Sequence, residues 1–364
     1  MRRGGAVLKL FAVGLWLATG LPPASAQAES AVAAAAASQP RTPSPTERSA
    51  GIDHLQFEAA AFTPERIKVT VYLPPGYARD GQQSRRYPVL YANDGQDMPA
   101  VGLQATLAQL QQRGEIAPVI VVAVDMLADR ASAYGLFDRA TARSLVGGSA
   151  IGPIGTHAQA YSAWLAQSLV PWIDAHYRTR PTVAGRTVLG WSLGALNAFS
   201  LAWQYPEVFG QVGAFSPSFW LAADRSSPAA IQRTRLAQAM VDHGQPRTGL
   251  RLFFSVGMAE ETADRDGDGV IDAVEDVQQL VQGYRASGGP SQRGLQQLGY
   301  RVEMDYAQHP SSGADAVLLL VPGGKHNQAA WKQVLPVFLR WAFGGSALID
   351  AKRADLKSAD LKRD

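Results

Sequence analysis

Cysteine is absent from all 364 residues. That excludes any disulfide, and it excludes a lipid anchor carried on an N-terminal cysteine. An exported chain of this kind must rely on its core, or on a metal, for stability. Charge is sparse: 18% of residues are charged and the formal net charge is +3. Arg2, Arg3 and Lys9 account for that excess, because residues 1–26 contain no acidic residue. The remainder of the chain is formally neutral, so nothing argues for nucleic acid or an anionic membrane surface as a partner. Long apolar runs are also missing: beyond residues 1–26 no stretch could span a bilayer. The hydrophobic share of 46% is that of a globular chain, long enough for one large core or two small ones.

The two ends read differently from the middle. A basic start, a short apolar core from Leu10 to Leu21 and the small-x-small pattern Ala24-Ser25-Ala26 make residues 1–26 a secretory signal peptide. The expected location is therefore periplasmic or secreted. An uncleaved anchor is the alternative, but the apolar run is short for one. Residues 27–51 are rich in Ala, Ser, Pro and Thr without periodicity, and read as a flexible linker. Residues 346–364 carry a small charged repeat, Ala354-Asp355-Leu356-Lys357 and Ala359-Asp360-Leu361-Lys362, and read as a charged tail. Residues 52–345 remain as one folded domain.

Within that domain Ile67, Val69, Val71 and Leu73 alternate with polar partners, as in a half-buried strand. Pro88–Ala92, Val119–Val124, Val188-Leu189, Leu252–Val256 and Val317–Val321 are nearly continuous apolar runs. Such runs suit strands buried on both faces of a mostly parallel sheet. Helical patterns lie between them, the clearest running from Tyr161 to Tyr177, where Pro171 predicts a kink. The alternation predicts an α/β fold with helices covering both faces of the sheet.

One stretch organises the rest: Thr187-Val188-Leu189-Gly190-Trp191-Ser192-Leu193-Gly194-Ala195-Leu196. An apolar strand runs into Gly-x-Ser-x-Gly, and a helical segment follows as far as Tyr205. In so tight a strand-to-helix turn the serine backbone is strained, and its neighbours have room only for glycine. Ser192 is then an exposed nucleophile, and the backbone N–H of Leu193 at the helix start can stabilise an oxyanion. In this motif's chain order the acid and then the histidine follow the serine. Of the downstream histidines, His243 lies in a surface-like segment and His309 precedes Pro310 in a polar loop. His326 follows the apolar run ending at Val321, on a loop at a strand's carboxyl end, where a catalytic base belongs. The acid should follow the strand Leu252–Val256, which points to Glu260, with Glu261 second. A second oxyanion donor should come from the loop after Val89–Ala92, and the backbone N–H of Gln96 fits. Trp191, Trp220, Arg130 and Tyr134 are candidates for the substrate wall, Arg130 for an anionic or catecholate group.

A second pattern lies just beyond the acid. Residues 264–275 match the twelve-residue calcium loop at every ligand position. Asp264, Asp266 and Asp268 supply carboxylates, Val270 a carbonyl, Asp272 a contact through water, and Glu275 both carboxylate oxygens. A helix is predicted only after the loop, so a structural Ca2+ is expected rather than a sensor. Its closeness to Glu260 suggests that the ion pins the loop carrying the acid.

Several short motifs occur together and in order: Tyr72-Leu73-Pro74-Pro75-Gly76-Tyr77, Tyr87-Pro88-Val89-Leu90-Tyr91 running into Asp94-Gly95-Gln96, Gly190-Trp191-Ser192-Leu193-Gly194, Tyr205-Pro206-Glu207-Val208-Phe209-Gly210, Ser216-Pro217-Ser218-Phe219-Trp220, and Gly323-Gly324-Lys325-His326 with Trp331. From about Phe62 to Phe343 the chain resembles the esterase family of α/β-hydrolases, which includes esterase D, enterochelin esterase-like and feruloyl esterase enzymes and the mycolyltransferases. The resemblance implies an α/β-hydrolase fold and acyl transfer through Ser192, His326 and an acid at Glu260. It also implies oxyanion amides at Gln96 and Leu193. The substrate would be a small-molecule ester, of a siderophore or an aryl (feruloyl-type) acid, with no organic cofactor. Two departures stand out: Ala195 occupies a position that is usually glycine, and the calcium loop is not a general family feature. An acyltransferase with the same triad and a non-catalytic calcium-binding module are the rival readings.

Overall fold

The computed structural model describes residues 47–49, 51–78, 84–150, 152–285, 291–306 and 313–345. The expected signal peptide, nearly all of the linker, His309 and the charged tail lie outside the described residues.

The core of the fold is a ten-stranded sheet. Its strands in chain order are β1 (Glu47–Ser49), β2 (Ile52–Glu58), β3 (Arg66–Tyr72), β4 (Val89–Ala92), β5 (Ile120–Val124), β6 (Arg186–Trp191), β7 (Gln211–Phe215), β8 (Arg251–Gly257), β9 (Val302–Glu303) and β10 (Ala316–Val321). Across the sheet they run β1-β2-β3-β5-β4-β6-β7-β8-β10-β9. The first three are antiparallel to their neighbours, while β5 onward is parallel. This is an α/β-hydrolase-type fold, as expected.

Burial explains the two strand patterns. In β3 the buried Ile67, Val69 and Val71 alternate with more exposed partners, because only one face is covered. In β5 all of Ile120 to Val124 is buried, because helices cover both faces. Each such valine or isoleucine contributes on the order of 1.5–3 kcal/mol. The two faces hold separate cores. Helix α3 (Leu193–Gln204) and helix α4 (Asp272–Gln282) pack with Tyr161, Trp164 and Phe254 on one face. Helix α1 (Leu103–Gln112) and helix α5 (Gln328–Phe343) pack with Leu189, Phe215 and Phe253 on the other.

Helix α2 meets Pro171 in an unexpected way. It begins as an α-helix over Ala158–Trp164, widens to a π-helical turn over Leu165–Leu169, and resumes over Val170–His176. Val170 donates its N–H to Leu165, five residues back, and Pro171 then stands in the first turn of the resumed helix. There its missing N–H costs little.

Among the described residues no helix is long and apolar enough to cross a membrane.

Candidate active site

In a parallel sheet the loops after neighbouring strands emerge side by side, so the register decides which side chains meet. Gly257 at the end of β8 pairs with Val321 at the end of β10. Beyond that pair the two loops remain joined, since Met258 donates its N–H to Val321 and Ala259 to Gly324. Glu260 stands near the start of the first loop and His326 near the end of the second. Glu260 Oε2 lies 2.8 Å from His326 Nδ1. A carboxylate can only accept, so Nδ1 carries a proton, and in the neutral imidazole Nε2 keeps its lone pair.

Glu260 is held from three sides, and its side chain is 3% exposed. Its Oε1 accepts the Gly257 N–H at 2.6 Å and the Ser216 hydroxyl at 2.5 Å. Ser216 Oγ accepts in turn from the Trp331 indole N–H at 2.9 Å. Ser216 directly follows β7 with φ of 47°, and Trp331 lies in α5 and meets the His326 ring edge-on at 5.5 Å. Sequence reasoning gave neither residue a role, since no local pattern marks a serine that orients an acid on the neighbouring strand's loop. Glu261 does not reach His326; its carboxylate takes the backbone N–H of Ala273, and burial pushes its pKa up.

Ser192 occupies the turn between β6 and α3 with φ 58° and ψ −126°. Few non-glycine residues adopt this conformation, and it persists only where the surroundings enforce it. They do so here: Ser192 donates its N–H to Phe215, and its carbonyl accepts from Ala195, Leu196 and Ser218. A Cβ at Gly190 would lie 2.1 Å from the Gly194 carbonyl oxygen, and one at Gly194 would lie 2.5 Å from Asp94 Oδ2. Ala195, where the resemblance expects glycine, is fully buried without such a penalty. Leu193 opens α3, so its N–H has no partner within the helix.

Ser192, Leu193, Glu260 and His326 line one cavity of about 660 Å³, with Arg130 and Trp220. Arg225, also on this wall, lies 5.6 Å over the Trp220 ring. Trp191 and Gln96 do not line it. Trp191 is 1% exposed, stacks on Trp331 and donates its indole N–H to Asp97 on the opposite face of the sheet. Gln96 sits in the turn Gly95–Asp97 that follows β4, with its side chain accepting from the Met126 N–H. A larger cavity of about 1000 Å³ opens at the amino ends of the parallel strands, beside Tyr72, Tyr77 and Val119.

Arg130 reaches the cavity wall with its charge already engaged. Its guanidinium grips Asp94 in two parallel hydrogen bonds of 2.7 and 2.8 Å, and it also donates to the Trp191 carbonyl at 3.3 Å. Burial pushes the Asp94 pKa up, and the arginine pulls against that. Asp94 itself is left-handed at φ 56° and leads into the turn bearing Gln96. Beside it Asn93 donates to the Gly194 carbonyl at 2.9 Å and accepts from Tyr161. Arg130, Asp94 and Asn93 thus tie the loop after β4 to the serine turn. The calcium-loop residues lie further along: Asp264, Asp266 and Asp268 are exposed and clustered, while Asp272 and Glu275 are buried at the start of α4.

A serine in an enforced turn, with an acid-bound histidine and a free helix-start N–H around one cavity, is an arrangement suited to acyl transfer. The sequence of the chain matches the Esterase family over residues 60–341. The chain belongs to the Esterase family. Among characterised and uncharacterised relatives, it is 30% identical over 156 residues to the uncharacterized protein YjcH of Bacillus subtilis (strain 168), covering 42% of this chain and 56% of that protein. It is 29% identical over 171 residues to an endo-1,4-beta-xylanase/feruloyl esterase of Xylanibacter ruminicola, covering 44% of this chain and 21% of the relative. The chain thus spans little more than half of the first relative's length. Among solved structures, the enterobactin esterase FES from Shigella flexneri superposes with a TM-score of 0.56 at 16% identity, over 82% of this chain and 60% of that one. A ferulic acid esterase superposes with a TM-score of 0.54 at 14% identity, over 80% and 97%. At these identities the superpositions speak to the fold alone.

Proposed function

We propose that this esterase-family chain is an exported serine carboxylic-ester hydrolase. The observation that carries the reading is the Glu260–His326 hydrogen bond of 2.8 Å on a cavity that Ser192 also lines. Nε2 of His326 takes the Ser192 proton as Oγ attacks the ester carbonyl. The oxyanion is met by the backbone N–H of Leu193 on the cavity wall, and the Gln96 N–H, off that lining, serves as second donor only if the turn after β4 moves toward Ser192. His326 then gives the proton to the leaving alcohol, and the acyl group stays on Ser192. Water, losing a proton to the same histidine, releases the acid. Export rests on residues 1–26 and gives a periplasmic or secreted enzyme.

The substrate reading is an ester with an aromatic group, of the feruloyl or catecholate-siderophore type. It is supported by Trp220 and Arg225 on the same wall, and by the names of the relatives. A panel of nitrophenyl, feruloyl and siderophore esters tests it, run with and without an added alcohol. Turnover is expected on all activated esters and to be fastest on one aromatic class. Transfer of the acyl group to the alcohol in preference to water would replace hydrolase by acyltransferase. Failure to cleave any activated ester would overturn the proposal.

A further inference from the structure

The acidic loop after Glu261 takes no part in ester chemistry as described. We propose that it binds one calcium ion, and that the ion fixes the wall of the ester cavity rather than the catalytic acid. The metal site stands independently of the hydrolase reading; its effect on substrate rests on that reading.

The carboxylate oxygens of Asp264, Asp266 and Asp268 lie within 4.8 Å of one another. Gly267 and Gly269 turn the chain around them with φ of 76° and 90°. Exposed acidic clusters are common, so the deciding feature is Glu275, which is 7% exposed in the first turn of α4. Its Oε1 accepts from the Gln279 side chain, but its Oε2 is buried with no hydrogen bond. An Arg265 nitrogen stands 4.0 Å from Oε2. A buried carboxylate oxygen without a donor is costly. One divalent cation bound by Glu275 and the three aspartates would remove that penalty and neutralise the cluster. The ligand set is all oxygen, carboxylates plus the Val270 carbonyl. Asp272 would act through water, since its Oδ1 already accepts the Arg265 N–H. So many oxygen ligands suit calcium, where magnesium demands a tight octahedron.

The loop closes on the cavity. Asp272 donates its N–H to the Ala263 carbonyl at 2.8 Å, and the Arg265 N–H meets Asp272 Oδ1 at 2.8 Å. Ala263, Arg265, Asp272 and Ala273 all form part of the cavity wall. Glu260 is anchored elsewhere, by Gly257, Ser216 and His326. Calcium therefore acts on substrate binding and leaves the triad geometry alone.

The test is calorimetric titration of the chelator-treated full chain with calcium chloride, with magnesium chloride as control. One calcium site is expected, with a dissociation constant between about 10⁻⁶ and 10⁻³ M. Asp266→Asn, an exposed change that leaves folding intact, and Glu275→Gln are each expected to weaken it at least about tenfold. Amide hydrogen exchange over residues 261–275 should slow with calcium, and KM for a nitrophenyl ester should fall several-fold at constant kcat. No calcium heat together with unchanged exchange would overturn the site. Calcium binding that leaves exchange over 263–273 unaltered, or that changes kcat instead of KM, would overturn the effect on the cavity. A chain that binds calcium but cleaves no ester would defeat the hydrolase reading and leave the metal site standing.

Discussion

Ser192→Ala is expected to lower kcat for an activated ester by roughly 10⁴- to 10⁶-fold while leaving the melting temperature nearly unchanged. The size follows from the chemistry, because without Oγ no acyl-enzyme forms and only the oxyanion donors and binding remain. The stability expectation follows from the structure. The Ser192 turn is enforced through backbone hydrogen bonds to Phe215, Ala195, Leu196 and Ser218, which alanine keeps. Alanine pays about the same cost as serine at φ 58°. Glu260→Gln should fall short of that loss, at roughly 10²- to 10⁴-fold, because the amide can still touch His326 but favours the wrong tautomer. Parallel rates on nitrophenyl acetate, with thermal melts, check both. A Ser192→Ala protein of full activity would remove the serine from the mechanism.

Gly190→Ala should have the largest effect on folding. Its methyl would stand 2.1 Å from the Gly194 carbonyl oxygen, 2.3 Å from the Gly194 carbon and 2.8 Å from the Ala195 nitrogen. All three are backbone atoms in the first turn of α3, so no rotamer change relieves the clash. The strand and helix must separate, which loosens the buried contacts between β6 and α3. We expect a loss of about 3 kcal/mol or more, at the upper end of overpacking costs, measured as a drop in the urea midpoint. Gly194→Ala meets a side chain instead, Asp94 Oδ2 at 2.5 Å. Asp94 is gripped by Arg130 and cannot simply withdraw, so the loop after β4 must shift. That variant should fold better than Gly190→Ala yet lose activity through displaced oxyanion donors. Equal midpoints for wild type and Gly190→Ala would show that the turn is far looser than described.

The residues that could be read in advance were those whose chemistry is local. Apolar runs marked β3, β4, β5, β6, β8 and β10 because each buries consecutive or alternating side chains. The serine turn was legible because its glycines flank it within five residues. Strand β7 escaped notice: Gly213 and Ala214 interrupt its apolar run, and its burial comes from Phe338 pressing on Gly213 from α5. The π-helical turn before Pro171 was hidden for a similar reason, since the sequence shows the missing N–H but not how the preceding ladder adjusts. The choice between Glu260 and Glu261 needed the register of β8 against β10, which no spacing contains. The sequence places Arg130 at the substrate wall, where it lies, but gives no sign that its charge is met by Asp94, thirty-six residues earlier. Contacts of this length are decided by packing and not by pattern.

The most direct test of the acyl-transfer account is phosphonylation. Purified protein incubated with an aryl fluorophosphonate should gain the mass of one adduct, located on the peptide carrying Ser192, and lose ester turnover in proportion. The same reagent should label Glu260→Gln much more slowly. An adduct on a different residue, or an unlabelled Ser192 under conditions that label a control serine hydrolase, would contradict the account.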